Sequence, residues 1–218
     1  MTAQSTRDHL RTVRPPKIEP LAFDLDAAPA DPLDLFRDWL ETAIDGNVAQ
    51  ANAMTLSTAT SAGRPSARTL LLKDVTADGF WFASLSDGPK GTDLAENPAA
   101  ALTFFWPEQG RQVRVTGTAR PGPRATSEQD FLARHPLARA QAIAGNQSER
   151  MPPEAVVADL VATAQKLLDS DPDFVPETWT AYVVTPEGIE FWQAVGHDQV
   201  RLGYRLEGRR WVSERLWP

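Results

Sequence analysis

Between Ala53 and Arg120 the chain repeats one device, a short run of β-branched, aromatic or small residues closed by a turn signal. The runs are AMTLSTAT (53–60), SARTLLLKDV (66–75), GFWFASL (79–85), AALTFFW (100–106) and RQVRVTGTAR (111–120), and SAGRP, TADG and PEQG part several of them. Such close spacing predicts antiparallel hairpins that curl into a barrel.

Helices are expected around that barrel. Asp31 is a good N-cap, Pro32 suits the first helical position, and Leu33, Phe36, Trp39, Leu40 and Ile44 form one apolar stripe at helical spacing. A second helix is predicted over about 90–97, a third after a capping box of Thr126 and Gln129 before DFLARH, and a fourth from Pro153 to Leu168. Strands TWTAYVVT, GIEFWQAV and VRLGYRL close the chain, with RRWVSERL behind them. The class is α+β, a small barrel flanked by helices. With 218 residues and 42% apolar content, one core is affordable, and it is expected over residues 32–218. Residues 1–31 carry many Pro, Ala and Asp without apolar periodicity, and read as a flexible arm that is mobile or lies on a partner surface.

Several function classes are disfavoured. With no cysteine there is no disulfide, thiolate nucleophile or thiolate metal site, and the three histidines, His9, His135 and His197, lie far apart. No metal site is expected. A net charge of -7 opposes general attraction to nucleic acid or anionic membrane. The chain has no run of eighteen apolar residues, and MTAQSTRDHLRTVRPPK lacks the apolar middle of a signal peptide, so a cytoplasmic protein is the expectation.

Neither G-x-G-x-x-G after a strand nor G-x-x-x-x-G-K-[ST] occurs, so phosphate binding would need side chains. RTLLLK offers Arg68 and Lys73, which on a regular strand point to opposite faces unless a bend intervenes. Lys90 in SDGPKGTD stands where a helix begins, and a cation there can join backbone N–H groups in meeting an anion.

Taken together, NAMTLSTATSAGRPSARTLLLKDV, KGTDLAENPAAALTFFW, RQVRVTGTA, NQSE, EFWQ and RRWVSERLWP resemble, in order and spacing, the pyridoxamine 5'-phosphate oxidase family of flavin mononucleotide (FMN) enzymes. The similarity runs from about Asp31 to Pro218. It implies a split β-barrel, a homodimer and FMN at the subunit interface. Carried over, it puts Arg68 and Lys73 on the flavin and its phosphate, with Lys90 as a second phosphate cation. Gln112, and Gln147 with Ser148, match flavin hydrogen-bonding positions. Trp192 and Arg201 match two carboxyl-terminal flavin contacts, given across the dimer interface. The family's Arg-Lys pair before the helix reads Pro89-Lys90 here.

The substrate positions depart further. Between its tryptophan and arginine the family carries Arg-x-His; this chain is one residue shorter there and aligns Asp198 and Gln199. The substrate-phosphate cluster of Tyr, Arg and Ser spaced by four falls on Phe131, His135 and Arg139, with Arg134 as another candidate for a displaced cation. An amino-terminal Arg-x-x-Tyr corresponds to Arg11-x-x-Arg14. The resemblance therefore implies an FMN-dependent oxidase of a small amine or dihydroaromatic substrate in specialised metabolism. Lys73, His135, Arg139, Asp198 and Gln199 would orient that substrate, and His197 would serve as acid or base. Pyridoxamine or pyridoxine phosphate oxidation itself, and non-catalytic flavin binding, are the alternatives. Phenazine-biosynthesis oxidases are also similar, but they retain Arg-x-His, and their activity is not assigned here.

Overall fold

A computed structural model describes residues 5–14, 21–195 and 198–218. One antiparallel sheet of nine strands curls around the core: β1 (Ala53–Ala59), β2 (Pro65–Leu71), β3 (Asp74–Thr76), β4 (Gly79–Leu85), β5 (Ala99–Trp106), β6 (Arg111–Pro121), β7 (Trp179–Val195), β8 (Asp198–Glu207) and β9 (Arg210–Arg215). The order is β2-β1-β5-β6-β7-β4-β3, and β8 and β9 extend from β7. Helices α1 (Thr6–Leu10), α2 (Pro32–Asp45), α3 (Pro89–Glu96), α4 (Arg124–Leu132), α5 (Pro136–Ala144) and α6 (Glu154–Ser170) complete the α+β split barrel.

Strand β7 organises this layout. The two closing strands TWTAYVVT and GIEFWQAV are one element of 17 residues. Its first half pairs β4, its second half pairs β8, and β6 runs along its other edge. A bulge joins the halves: register shifts between Thr116 and Gly117, where a Cβ on Gly117 would stand 2.1 Å from the Thr185 carbonyl oxygen. Only glycine fits that approach.

The barrel interior is aromatic. Phe36 of α2 meets Phe80 and Phe104 edge-on, both at centroid separations of 4.8 Å, and Leu56, Leu102, Val113, Val115 and Phe191 are fully buried around them. Burying Phe36 contributes roughly 1.5–3 kcal/mol. Asp31 caps α2 through the Leu33 amide at 2.9 Å, as expected. Ile44, at the end of the expected stripe, is exposed, and Leu35 is buried instead.

Three expectations about elements change. Residues 21–31 are not a free arm but a strap on the protomer's own barrel. Phe23 packs edge-on to Trp39, Gln193 Nε2 donates to the Leu21 carbonyl at 2.6 Å, and Tyr204 Oη donates to the Pro29 carbonyl at 2.8 Å. Beneath the strap, Arg111 lies over Trp39 and donates to Gln193, and burial lowers its pKa to about 10. The Thr126–Gln129 capping box does not form, because α4 begins two residues earlier behind Pro123 and already contains Thr126. Helix α5 carries no pronounced apolar stripe and was not anticipated; Pro136 at its first turn starts it.

Candidate functional site

The chain leaves β2 at Leu71 and changes partner: the Leu72 amide donates to Asn52, while the Lys73 amide donates to Trp81 on β4. This bend separates the two cations of RTLLLK. Arg68 stays with β1, where its guanidinium donates to Thr58 Oγ1 at 2.8 Å, the Leu56 carbonyl at 3.3 Å and Ser66 Oγ at 2.7 Å. Lys73 instead reaches α4.

Lys90 joins Arg68. It is the second residue of α3, and Gly91 lets that helix start tightly, since a Cβ there would lie 2.2 Å from the Ser86 carbonyl oxygen. Lys90 is only 6% exposed, yet its hydrogen-bond partners among the described residues are neutral, Ser84 Oγ at 3.0 Å and Gln147 Oε1. Burial lowers its pKa, and the charge of Arg68 lowers it further. Burial also lowers the pKa of Arg68, which Asp93 partly offsets from 4.0 Å. Among the described residues Asp93 is the one carboxylate paired with either cation, and Thr58 Oγ1 also donates to it at 2.7 Å. The cradle thus carries more positive charge than its own acid neutralises, which is the donor set a phosphate monoester needs. Ser148 lies apart: it is exposed, holds a positive φ of 72°, and lines a different cavity with Met151 and Leu160.

Gln112, Trp192 and Arg201 form a single row across β6, β7 and β8. Their neighbours Val113, Phe191 and Leu202 are buried, so strand alternation puts the row on the outer face of the sheet. The row of Arg68 runs through Leu56, Leu102 and Val115 on the inner face. Gln112 and Trp192 are cross-strand partners within one protomer. Arg201 is engaged by Glu190 at 2.8 Å and by the Trp217 carbonyl at 2.7 Å. Trp192 Nε1 donates to Gln199 Oε1 at 2.8 Å. Asp198 is exposed at the start of β8, and His197 lies outside the described residues.

The expected substrate residues have structural partners. Phe131 is fully buried, edge-on to Trp179 at 5.4 Å. Arg139 is buried over the Phe131 ring and donates to the carbonyls of Pro172 and Phe174, tying α5 to the segment before β7. His135 caps α5, its Nδ1 accepting from the Leu137 amide at 3.3 Å. Arg11 and Arg14 are exposed and bond each other locally, Arg14 Nη1 donating to the Arg11 carbonyl at 3.0 Å.

Sequence reasoning missed Asp130. Its carboxylate meets Lys73 Nζ at 3.1 Å and accepts from Trp179 Nε1 at 3.0 Å. Arg134 stacks 4.4 Å from the centroid of the Trp179 ring, and its buried Nε has no partner among the described residues. Nothing in the sequence signals the contact of Lys73 with Asp130, which sheet topology creates. Two cavities flank the cluster and share Ala83. One of about 280 Å³ is walled by Lys73, Asp130, Trp81 and Gln129; the other, about 410 Å³, runs past Arg134 and Trp179 to Ser84 and Gln147 at the cradle. A larger cavity of about 680 Å³ lies between α2 and the β2–β3 link and is lined by none of the cradle's groups. Among the described residues no group of acids and histidines could hold a metal, and no helix is long and apolar enough to cross a membrane.

Comparison with known proteins gives a consistent set of matches. Residues 40–167 match the family model described as pyridoxamine 5'-phosphate oxidase, and residues 179–218 match that of the pyridoxine 5'-phosphate oxidase C-terminal dimerisation region. The pyridoxine/pyridoxamine 5'-phosphate oxidase of Pseudomonas fluorescens is 41% identical over 197 residues, covering 88% of this chain and 90% of the relative. Among solved structures, PhzG from Burkholderia lata, in complex with tetrahydrophenazine-1-carboxylic acid, superposes with a TM-score of 0.87 at 28% identity, over 92% of this chain and 99% of that one. A pyridoxamine 5'-phosphate oxidase-related, FMN-binding protein from Nostoc punctiforme shares the fold, with a TM-score of 0.72 at 17% identity over 88% of this chain and all of that one.

Proposed function

Because the chain belongs to the pyridoxamine 5'-phosphate oxidase family, we propose that it is an FMN-dependent oxidase acting as a homodimer on a small amine or dihydroaromatic substrate other than the vitamin phosphate. The observation that carries this reading is the undercompensated cradle of Arg68 and Lys90. A phosphate monoester bears roughly two negative charges near neutral pH and accepts charge-assisted hydrogen bonds from both cations. Gln147, already on Lys90, is placed to close the cradle.

Bound there, FMN would supply a two-electron acceptor that takes hydride from a C–N or C–H bond and returns the electrons to oxygen. The protein's part is placement. Arg68 and Lys90 anchor the phosphate end. Trp192, steadied by Gln199, presents an aromatic face and Gln112 an amide on the outer side of the sheet. Since cradle and outer row occupy opposite faces of one sheet, a flavin that touches both sets lies between two copies of the chain. The outer face suits such pairing: Thr55, Ser57, Ala67, Thr69, Ala101 and Thr103 are small, and Phe105 and Leu71 are 58% and 46% exposed. Lys73 borders the substrate cavity, and Asp198, Gln199 and His197 are the candidates to orient substrate from the partner copy.

Oxidation of pyridoxamine or pyridoxine phosphate itself is the second reading, favoured by the Pseudomonas fluorescens relative at 41% identity. Against it stand Phe131, which has no polar group, and His135 and Arg139, whose Nδ1 and Nη2 are engaged within the fold. The test is to isolate the protein, identify the released flavin, measure its mass in solution, and follow oxygen consumption with pyridoxamine phosphate. FMN in a dimer with slow turnover is expected. A flavin-free protein, or a monomer saturated with FMN, would refute the shared site. Turnover as efficient as that of the Pseudomonas enzyme would establish the second reading.

A further inference from the structure

We propose that Asp130 sets the charge of the substrate cavity, compensating Lys73 and Arg134 so that the cavity takes a neutral or singly anionic substrate rather than a phosphate monoester. The proposal rests on reading these cavities as the substrate side of a flavin oxidase. Lys73 walls one of the two adjoining cavities, from the β2–β3 link, and Arg134 the other, from the α4–α5 turn, and Asp130 opposes both, through the ion pair with Lys73 and through its charge on Arg134. The carboxylate holds Lys73 Nζ at 3.1 Å with one oxygen and is fixed by Trp179 Nε1 at 3.0 Å through the other. Its side chain is 15% exposed, while that of Lys73 is 41% exposed, so the lysine can swing away and the acid cannot.

A phosphate entering beside Lys73 would therefore break an existing ion pair and still meet a fixed negative charge. Both effects weaken it, and like-charge juxtaposition in a partly desolvated site is a recognised source of discrimination. A neutral or singly charged ring meets less repulsion and leaves the pair intact. On the second cavity's wall, Arg134 Nε, buried and without a partner among the described residues, suits a single acceptor oxygen such as a carbonyl or carboxylate. The pKa of Arg134, lowered by burial and partly restored by Asp130, agrees with a cation whose compensating charge is this acid.

The competing explanation is structural, that Asp130 serves only to hold the Trp179 indole. A ligand pair separates the two: 4-deoxypyridoxine 5'-phosphate and 4-deoxypyridoxine, which lack the oxidisable group and differ by the phosphate. Calorimetric titration of the flavin-loaded full chain gives the ratio of their dissociation constants. Asp130→Asn should shift that ratio toward the phosphorylated ligand by about tenfold or more. Asp130→Glu should restore the wild-type ratio, and Trp179→Phe, which removes the hydrogen bond but keeps the charge, should leave it unmoved. If Asp130→Asn does not fold, Lys73→Gln should move the ratio about tenfold the other way. An unmoved ratio in these charge variants, an equal shift in Trp179→Phe, or absence of binding by either ligand to any variant overturns the proposal. Flavin content is measured on the same samples. A chain without FMN fails the oxidase reading, whereas an unmoved ratio in FMN-loaded protein fails Asp130 alone.

Discussion

The Arg68–Lys90 cradle and the α4–α5 wall both gather cations, and they differ in what those cations already hold. In the cradle, Lys90 has only neutral hydrogen-bond partners among the described residues and is crowded by Arg68. In the wall, Lys73 faces Asp130, and Arg139 donates through one nitrogen to two backbone carbonyls. Unspent charge under burial points to a ligand from outside, whereas satisfied charge points to the fold. The same residue types thus carry different meanings along one cavity.

The sharpest way to break this contrast is to empty the cradle. Arg68→Ala combined with Lys90→Ala should weaken FMN binding by more than about a hundredfold, since each charge-assisted contact contributes roughly 1.5–3 kcal/mol. Lys73→Ala, by contrast, should weaken it less than about tenfold, because its ammonium is turned to α4. Fluorescence titration of flavin into the flavin-free variants reads both. Equal losses would place Lys73 in the cradle after all.

Arg139 probes the other region. Replacing it by Ala should cost roughly 2–4 kcal/mol of folding stability, as two carbonyls lose a charged donor and Phe131 loses its cover. Denaturant unfolding of the flavin-free protein measures this. The phosphate discrimination of the folded fraction should not change, and a change would return Arg139 to the substrate.

A third effect separates the regions by pH. In the folded flavin-free chain Lys90 has a pKa below that of an ordinary lysine, through burial first and Arg68 second. As pH rises through that lowered value toward the unfolded one, the unfolded chain retains the proton longer. It then binds more protons than the folded chain, so stability contributed by Lys90 rises with pH. Phosphate binding needs the charged ammonium, so FMN affinity should fall across the same window, by up to about tenfold per pH unit. Stability and affinity therefore move in opposite directions. Lys90→Met should abolish this component of both trends.

Legibility followed the same division. The strands from Ala53 to Arg120 were readable because alternation and turn residues are local, and the N-cap at Asp31 was readable for the same reason. Helix α5 was hidden because PLARAQAIA lacks a strong stripe. Arg68 and Lys90 could be singled out from motif order, but the separation of Lys73 from Arg68 depends on the change of strand partner at Leu72. Asp130 was invisible, since its partners Lys73 and Trp179 are distant in sequence and meet it only once α4 lies against β4 and β7. The strap was misread because its anchors, Leu21, Ala22 and Pro29, act through backbone carbonyls, which composition does not show.

The smallest expected effect lies between the regions, at Gln199. Its Oε1 accepts from Trp192 Nε1 at 2.8 Å, and both groups stand on the outer face beside Gln112 and Arg201. Trp192 is already placed by its strand and by the row it shares, so Gln199 sets the rotation of the indole rather than its position. Gln199→Ala should cost about 0.5–1.5 kcal/mol of whatever the indole contributes to the flavin, a change of roughly two- to tenfold in FMN affinity. A shift in the bound flavin's absorption band should accompany it. Gln199→Glu keeps the acceptor and should preserve the affinity more closely than Ala does. If both substitutions leave spectrum and affinity untouched while Gln112→Ala changes them, the flavin meets the outer row at β6 and not at Trp192. If Gln199→Ala instead abolishes binding, Gln199 is itself a flavin contact, and the outer face contributes as much to holding the cofactor as the cradle does.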